Sequence, residues 1–598
     1  MSARSLARCC LAFAMAGAAA CRSARDLEAR PSWPRPDCGM VVCEEPRAAE
    51  VGAEILRRGG NAADAAVATA LALAVVHPQA GNLGGGGFAL WVPHEGEPQA
   101  LDFRETAPAS AESARYLDED GRPVPRLLRQ GPLSVGVPGT PAGLLALHER
   151  LGSGLLGLDE LARPAIELAR RGFRVGPLLA RDLASPSTRA RLGEDPGSRD
   201  RFYPRGEPLR EGDLLVQPDL AATLALWARE GFDGFYLGRN AQRLVDELAR
   251  AGPSPISLED LAGYRPRWRA PLRGWFRGRE VISMPPPSSG GIILLQVLGV
   301  LEGFPLDAER REARRELELA RASAREPSAE ACGLGVRAVH GWIESLRRSF
   351  AERAERMGDP DFHPVPVDEL LSPAWIARTR VSIGEQASHG IPSPPSHEGH
   401  GGPEGAQTTH LSVLDGEGNA VSLTTTLNSS FGSGILVRGA GFLLNNELDD
   451  FSLPGAANQF GLLGGAANAI QPHKRPLSSM TPTVLRDGGR NVSLVIGSSG
   501  GPRIITSVIA VILRTLVYEQ PLQEAVAAPR FHQQWSPITT DFEPGWPAEL
   551  LEGLRRLGHE IAEEPERWGS IQAIRVLPGG AVESATDPRR PGAAVRAD

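Results

Sequence analysis

The stretch Gln407–Asn428, reading QTTHLSVLDGEGNAVSLTTTLN, constrains the fold more than any other part of the chain. Two runs with apolar residues at every second position flank Asp415-Gly-Glu-Gly-Asn419, a run of turn formers, and this pattern predicts a β-hairpin. With the turn centred on Glu417, Leu414 pairs with Ala420, and counting outward sets Thr408 across from Thr426. A bulge would break that register. One face carries Leu411, Val413, Val421 and Leu423; the other carries Thr408, His410, Ser412, Ser422, Thr424 and Thr426. Cross-strand partners hold their Cβ atoms roughly 5 Å apart, so two threonine hydroxyls come within reach of each other. On pattern alone this is an amphipathic hairpin whose polar face meets solvent, with threonine as an ordinary strand former.

The 598 residues allow three or four domains or one large fold. A net charge of −8 and few aromatics leave no electrostatic footprint for nucleic acid, so a small-molecule substrate is expected. Arg4 and Arg8 precede a short apolar run that closes on Ala18-Ala19-Ala20, the layout of a secretory signal peptide over residues 1–20, too short to span a bilayer. Export to the periplasm or the exterior is expected. Cys21 directly follows that run, as at a bacterial lipoprotein cleavage site, although Ala18 stands where leucine is preferred; the exported chain is either lipid-anchored through Cys21 or free. Cys38 and Cys43 either bridge or serve as small buried hydrophobes, and Cys332 has no evident partner.

Ala49–His77 reads as two helices broken at Gly59-Gly60-Asn61, the second apolar on all sides and so a core helix. Gly81-Asn-Leu-Gly-Gly-Gly-Gly-Phe88 tempts a phosphate-cradle reading, but no Lys-Ser/Thr follows and a strand comes next, so close backbone packing explains it better. Residues 306–333 form an Arg/Glu/Ala-rich run, expected to be a solvated helical insertion. Residues 384–407 are Ser/Pro/Gly/His-rich and read as a flexible linker ending at Gln407. Its His389, His397, Glu398 and His400 lack the spacing of a metal site, and neither metal nor cofactor is expected. Asn491–Gly501 is a buried strand that breaks into a glycine loop before a helix start, a place where free backbone N–H groups can hold an anion.

Several of these motifs together resemble the γ-glutamyltranspeptidase family of N-terminal-nucleophile hydrolases. The hairpin's Thr408-Thr409-His410 and Thr426-Leu427-Asn428 reproduce the family marker, and the likeness runs from about Cys38 to Arg590 through Leu101-Asp-Phe-Arg-Glu105, Pro285-Pro-Pro-Ser-Ser-Gly-Gly291, Leu443–Phe451 and Lys474–Met480. The resemblance implies an α/β fold of the α+β kind, a four-layer αββα sandwich made as a precursor. That precursor would cut itself between Gln407 and Thr408 into a large subunit, 21–407, and a small catalytic subunit, 408–598, which stay paired in one fold.

Site roles come with the likeness. Thr408 is the expected nucleophile, Thr426 its support, and Gly500 and Gly501 the oxyanion hole. Arg104, Ser478 and Ser479 match the positions that hold a donor's α-carboxylate, Glu447 and Asp450 those that hold its α-amino group, and Asn428 lines the same pocket. Pro454–Gly465 resembles a lid. Expected substrates are glutathione and other γ-glutamyl amides, with water, amino acids or dipeptides as acceptors. The alternatives are a relative that cleaves the glutaryl side-chain amide of a cephalosporin, and an envelope protein that kept the fold without catalysis.

Overall fold

The computed structural model describes residues 35–253, 255–322, 334–388, 406–562 and 566–598. The export segment, Cys332 and the four linker residues considered as metal ligands lie outside them. Thirteen strands form two antiparallel sheets. In chain order they are β1 (Gly39–Cys43), β2 (Gly86–Val92), β3 (Gln99–Asp102), β4 (Arg267–Arg269), β5 (Leu272–Phe276), β6 (Arg279–Ser283), β7 (Ala406–Leu414), β8 (Ala420–Ser429), β9 (Thr483–Arg486), β10 (Val492–Ser499), β11 (Ser570–Val576), β12 (Val582–Thr586) and β13 (Ala593–Ala597). The first sheet runs β13-β1-β7-β8-β2-β3-β4 and the second β12-β11-β10-β9-β6-β5.

Helices close both outer faces. Gly59 and Gly60 separate α1 (Pro46–Arg57) from α2 (Ala62–Val76), and Asn61 caps α2 by accepting the amides of Ala63 and Asp64 at 3.0 and 3.1 Å. Every residue of α2 is buried, because it lies between the first sheet and further helices. The hairpin's Leu411, Val413, Val421 and Leu423 belong to that same apolar layer. On the far side α3 (Gly290–Leu301), α4 (Val336–Arg356) and α5 (Arg503–Leu516) pack with Leu485, Leu494, Ile496 and Ile571 of the second sheet. Between the sheets Val42, Val92, Leu414 and Ala420 meet Ile282, Val484, Val495 and Ile574. This is the four-layer αββα sandwich.

The hairpin register holds from Leu414 opposite Ala420 to Thr408 opposite Thr426, and shifts only beyond Thr426. Its polar face does not meet solvent. The face turns inward because its strands are central in a sheet stacked on another, and all six polar side chains are buried. The Ser412 hydroxyl donates to the Gln572 carbonyl and that of Ser422 to the Ile496 carbonyl, both at 3.0 Å. Opposite His410 stands Gly497, where a Cβ would lie 2.3 Å from the imidazole. The run around Gly85 is explained by close packing, since a Cβ there would sit 2.0 Å from the Thr426 carbonyl oxygen. Cys38 and Cys43 are buried free thiols. Within the charged insertion Leu306–Ala322 is helical.

Candidate active site

At one end of the polar face the two threonine hydroxyls meet, Thr408 Oγ1 and Thr426 Oγ1 lying 3.2 Å apart. Thr426 Oγ1 also accepts the Asn428 amide at 2.9 Å, which orients its own proton away from the backbone. Asn428 adopts φ +73° where the hairpin register shifts between Thr426 and Ser429, and its side chain donates to the Asn446 carbonyl at 3.0 Å. That bond ties the hairpin end to the Glu447–Asp450 turn. In the uncut chain the Thr408 nitrogen is an amide within strand β7.

His410, two residues along, is no base for Thr408. Its Nδ1 faces Thr424 Oγ1 at 2.8 Å and its Nε2 faces Ser412 Oγ at 3.1 Å. Since Ser412 gives its proton to Gln572, it accepts from Nε2, and Nδ1 then accepts from Thr424. Burial lowers the imidazole pKa to about 3, so the ring stays neutral.

Arg104, Glu447 and Asp450 converge in one buried cluster. The Arg104 guanidinium bonds Glu447 Oε1 through Nη1, Asp450 Oδ2 at 2.5 Å through Nη2, and the Pro476 carbonyl at 3.2 Å through Nε. Glu105 adds a third carboxyl 3.6 Å from Nη1, and neither of its oxygens has a hydrogen-bond partner among the described residues. Burial pushes the Glu105 carboxyl up to about 7 and raises those of Glu447 and Asp450, with Arg104 pulling each back down. Burial works against the Arg104 charge, but its carboxylate neighbours outweigh that and hold its pKa above the ordinary arginine value. Three acids around one guanidinium make a pocket that favours an incoming cationic group.

The segment after Lys474 lies beside this cluster. Ser478 takes two hydrogen bonds on its carbonyl, from the amide and the hydroxyl of Ser289, both 2.8 Å, while its own hydroxyl accepts the Met480 amide at 3.1 Å. Ser479 is buried next to it, its carbonyl accepting the Thr481 hydroxyl at 2.8 Å. Strand β10 passes Ser422 at Ile496 and His410 at Gly497, so it heads for the hairpin end that carries Thr408. Gly500 and Gly501 follow at φ +125° and +59°, and their amides make no hydrogen bond among the described residues. The lid segment links the parts: Phe460 lies against Gly501, the Ser429 hydroxyl donates to Gln459 at 2.7 Å, and Asn458 donates to Asp450 at 3.0 Å. Contacts thus join Thr408, Thr426 and Asn428 to the Arg104–Glu447–Asp450 cluster, and the lid segment reaches Gly501.

Other residues hold that neighbourhood together and escape sequence reasoning. Asn82 donates to the carbonyl of Thr426 at 3.0 Å and accepts the Gly85 amide at 2.9 Å. Asp102 accepts the Arg104 amide at 3.0 Å and pairs with Arg269 at 2.8 Å. Asp449 takes Arg129 at 3.1 Å and the Gln459 amide at 2.9 Å; burial raises its carboxyl to about 6. Arg353, in the last turn of α4, gives Nε to Ser289 Oγ at 3.1 Å. In sequence these read as surface charges and turn formers; only the packing reveals them.

Comparison with known proteins gives the family. The family model described as Gamma-glutamyltranspeptidase matches residues 48–597. The chain is 42% identical over 556 residues to the glutathione hydrolase proenzyme of Escherichia coli, covering 92% of this chain and 90% of that one. It is 35% identical over 565 residues to the acylase ACY 1 proenzyme of a Pseudomonas species, covering 93% of each. Among solved structures it resembles the cephalosporin acylase of Bacillus halodurans, with a TM-score of 0.77, 27% identity and coverage of 95% of this chain and 98% of that one. With its N-terminal-nucleophile hydrolase sandwich, the chain belongs to the γ-glutamyltranspeptidase family.

Proposed function

We propose that this protein cleaves glutathione and other γ-glutamyl amides, passing the γ-glutamyl group through Thr408 to water or to an amino acid or dipeptide amine. The observation that carries the reading is the buried Arg104–Glu447–Asp450 cluster tied to the Thr408–Thr426 hydroxyl pair. A γ-glutamyl donor is zwitterionic at its α-carbon. Glu447 and Asp450 suit its ammonium, and Arg104, Ser478 and Ser479 suit its carboxylate. A glutaryl amide lacks the ammonium and would leave the acids without a new partner, which favours the γ-glutamyl reading over that of the acylase relatives.

The nucleophile has to be made. The Thr408 hydroxyl attacks the Gln407 carbonyl, and the C–N bond breaks as the proton passes to the departing nitrogen. Water then hydrolyses the resulting ester to the Gln407 carboxylate, leaving Thr408 as a free N-terminus. Its α-amino group, of unperturbed pKa about 7.7–8.0, then serves as the base that His410 cannot be. Thr426 holds the Thr408 hydroxyl in line. Attack on the γ-carbonyl places the developing oxyanion on the Gly500 and Gly501 amides; the acyl ester is resolved by water or an amine. Chain 21–407 stays paired with 408–598 throughout. The Met1–Ala20 export segment and a lipid on Cys21 are proposals from sequence, checked by intact mass of the secreted protein.

The test is turnover of a γ-glutamyl anilide against a glutaryl anilide by purified protein. Preference for the first is expected. Preference for the second overturns the substrate, and turnover of neither by matured protein overturns the activity.

A further inference from the structure

Arg353 has no part in the chemistry proposed above, yet its setting is unusual. Its side chain is buried at the end of α4, and among the described residues it forms no ion pair. Its one hydrogen bond among them goes from Nε to Ser289 Oγ, and the charges it feels most are those of Asp450 and Arg104. Asp450 is already engaged, one oxygen on Arg104 and the other on Asn458. A buried guanidinium with no anion bonded to it is expensive to keep. Such a charge is retained where a ligand completes it.

The bonding around Ser289 indicates which ligand. Ser289 accepts from Arg353 and donates, through both its hydroxyl and its amide, to the Ser478 carbonyl. Arg353 therefore braces the Ser478–Ser479 segment, while Arg104 on the other side has both terminal nitrogens on carboxylates. We propose that Arg353 is a positioning residue for the donor's α-carboxylate: through Ser289 it fixes Ser478 and Ser479, and it supplies the positive field that Arg104, bound to Glu447 and Asp450, delivers only in part. This rests on the γ-glutamyl reading above and adds to it a second cation.

The test uses two donors that differ only in the carboxylate, a γ-glutamyl anilide and a γ-aminobutyryl anilide, on matured protein. Arg353→Met is expected to raise KM for the first by on the order of tenfold or more, the usual cost of losing a charged hydrogen-bonding partner, with kcat within about threefold. Both constants for the second donor stay unchanged. Arg353→Lys recovers part of the KM, and Ser289→Ala, which keeps the charge and breaks the brace, gives a smaller rise on the first donor alone. Equal effects on both donors, or an unchanged KM, overturn the proposal. Should Arg353→Met fail to mature, the lysine and Ser289 variants decide: parental KM on both donors in both variants overturns it. A parent protein that prefers glutaryl amides overturns the function reading instead, and this inference falls with it.

Discussion

The polar face of the central hairpin has two halves built from the same residue types, and they end in opposite states. In the inner half, His410, Ser412, Ser422 and Thr424 each meet a fixed partner, and the second sheet seals them through Gly497, Ile496 and Gln572. In the outer half, Thr408 and Thr426 meet each other where β10 gives way to a glycine loop and a charged cluster closes in. Hydroxyl alternation along a strand is thus neutral as to function. What stands opposite it on the neighbouring layer decides whether a hydroxyl is structural mortar or, as proposed for Thr408, a reagent.

The largest expected effect breaks the outer half outright. Thr408→Ala stays a single chain by intact mass and shows no turnover, while its melting temperature stays close to that of the uncut parent. A matured, active Thr408→Ala protein would put the reagent elsewhere on the face.

Next come the charges around that end. Arg104→Ala and Asp450→Ala each cost about 2–5 kcal/mol in kcat/KM on glutathione, the range for truncating one partner of a buried charge pair. Values near the parent's for both would detach the cluster from the chemistry.

Thr426 sharpens the contrast most directly. Thr426→Ser keeps the hydroxyl and matures and turns over well, whereas Thr426→Val keeps the branched shape and does both slower by on the order of tenfold or more. The reverse ranking, measured as precursor half-life and kcat, would make Thr426 an inner-half residue in all but position.

The sealed half answers to stability assays instead. Gly497→Ala drives a methyl into His410 and lowers stability by about 1–3 kcal/mol in denaturant melts, with little change in the kcat of the folded fraction. The last effect, absent at neutral pH, concerns His410 itself. Its folded pKa of about 3 lies below the unfolded value of about 6.5, so the unfolded chain binds more protons between the two. Stability from the neutral imidazole is therefore present above about pH 6.5 and lost as the pH falls toward 3. His410→Gln loses less stability than the parent between pH 6.5 and 4; equal acid slopes would show that the imidazole is not sealed.

Much of this was legible in the chain's text. The alternation around Asp415–Asn419 gave the hairpin and its register, and Asn61 gave the helix start. The direction of the polar face was not legible, because a row of threonines facing solvent and one facing another sheet share a pattern; the sequence marker is Gly497, eighty-odd residues away. Arg353 and Asp102 were invisible for a related reason: a basic residue in a last helical turn and an acid at a strand end both have ordinary local explanations. The Arg104–Glu447–Asp450 contact departs from the separate tasks the resemblance implies, since the cation and the acids hold one another.

The interleaving of the strands carries a consequence for how the molecule comes apart. In the first sheet β13 and β8 follow Thr408 in sequence, β7 carries it, β1, β2, β3 and β4 precede it, and β1 lies between β13 and β7. A cut at Gln407–Thr408 would leave neither product with a complete sheet. Before such a cut, melting is a one-body event, indifferent to dilution; afterwards it becomes two-body, with a midpoint that tracks protein concentration. Maturation would thus convert a self-contained chain into a pair whose integrity depends on how concentrated it is.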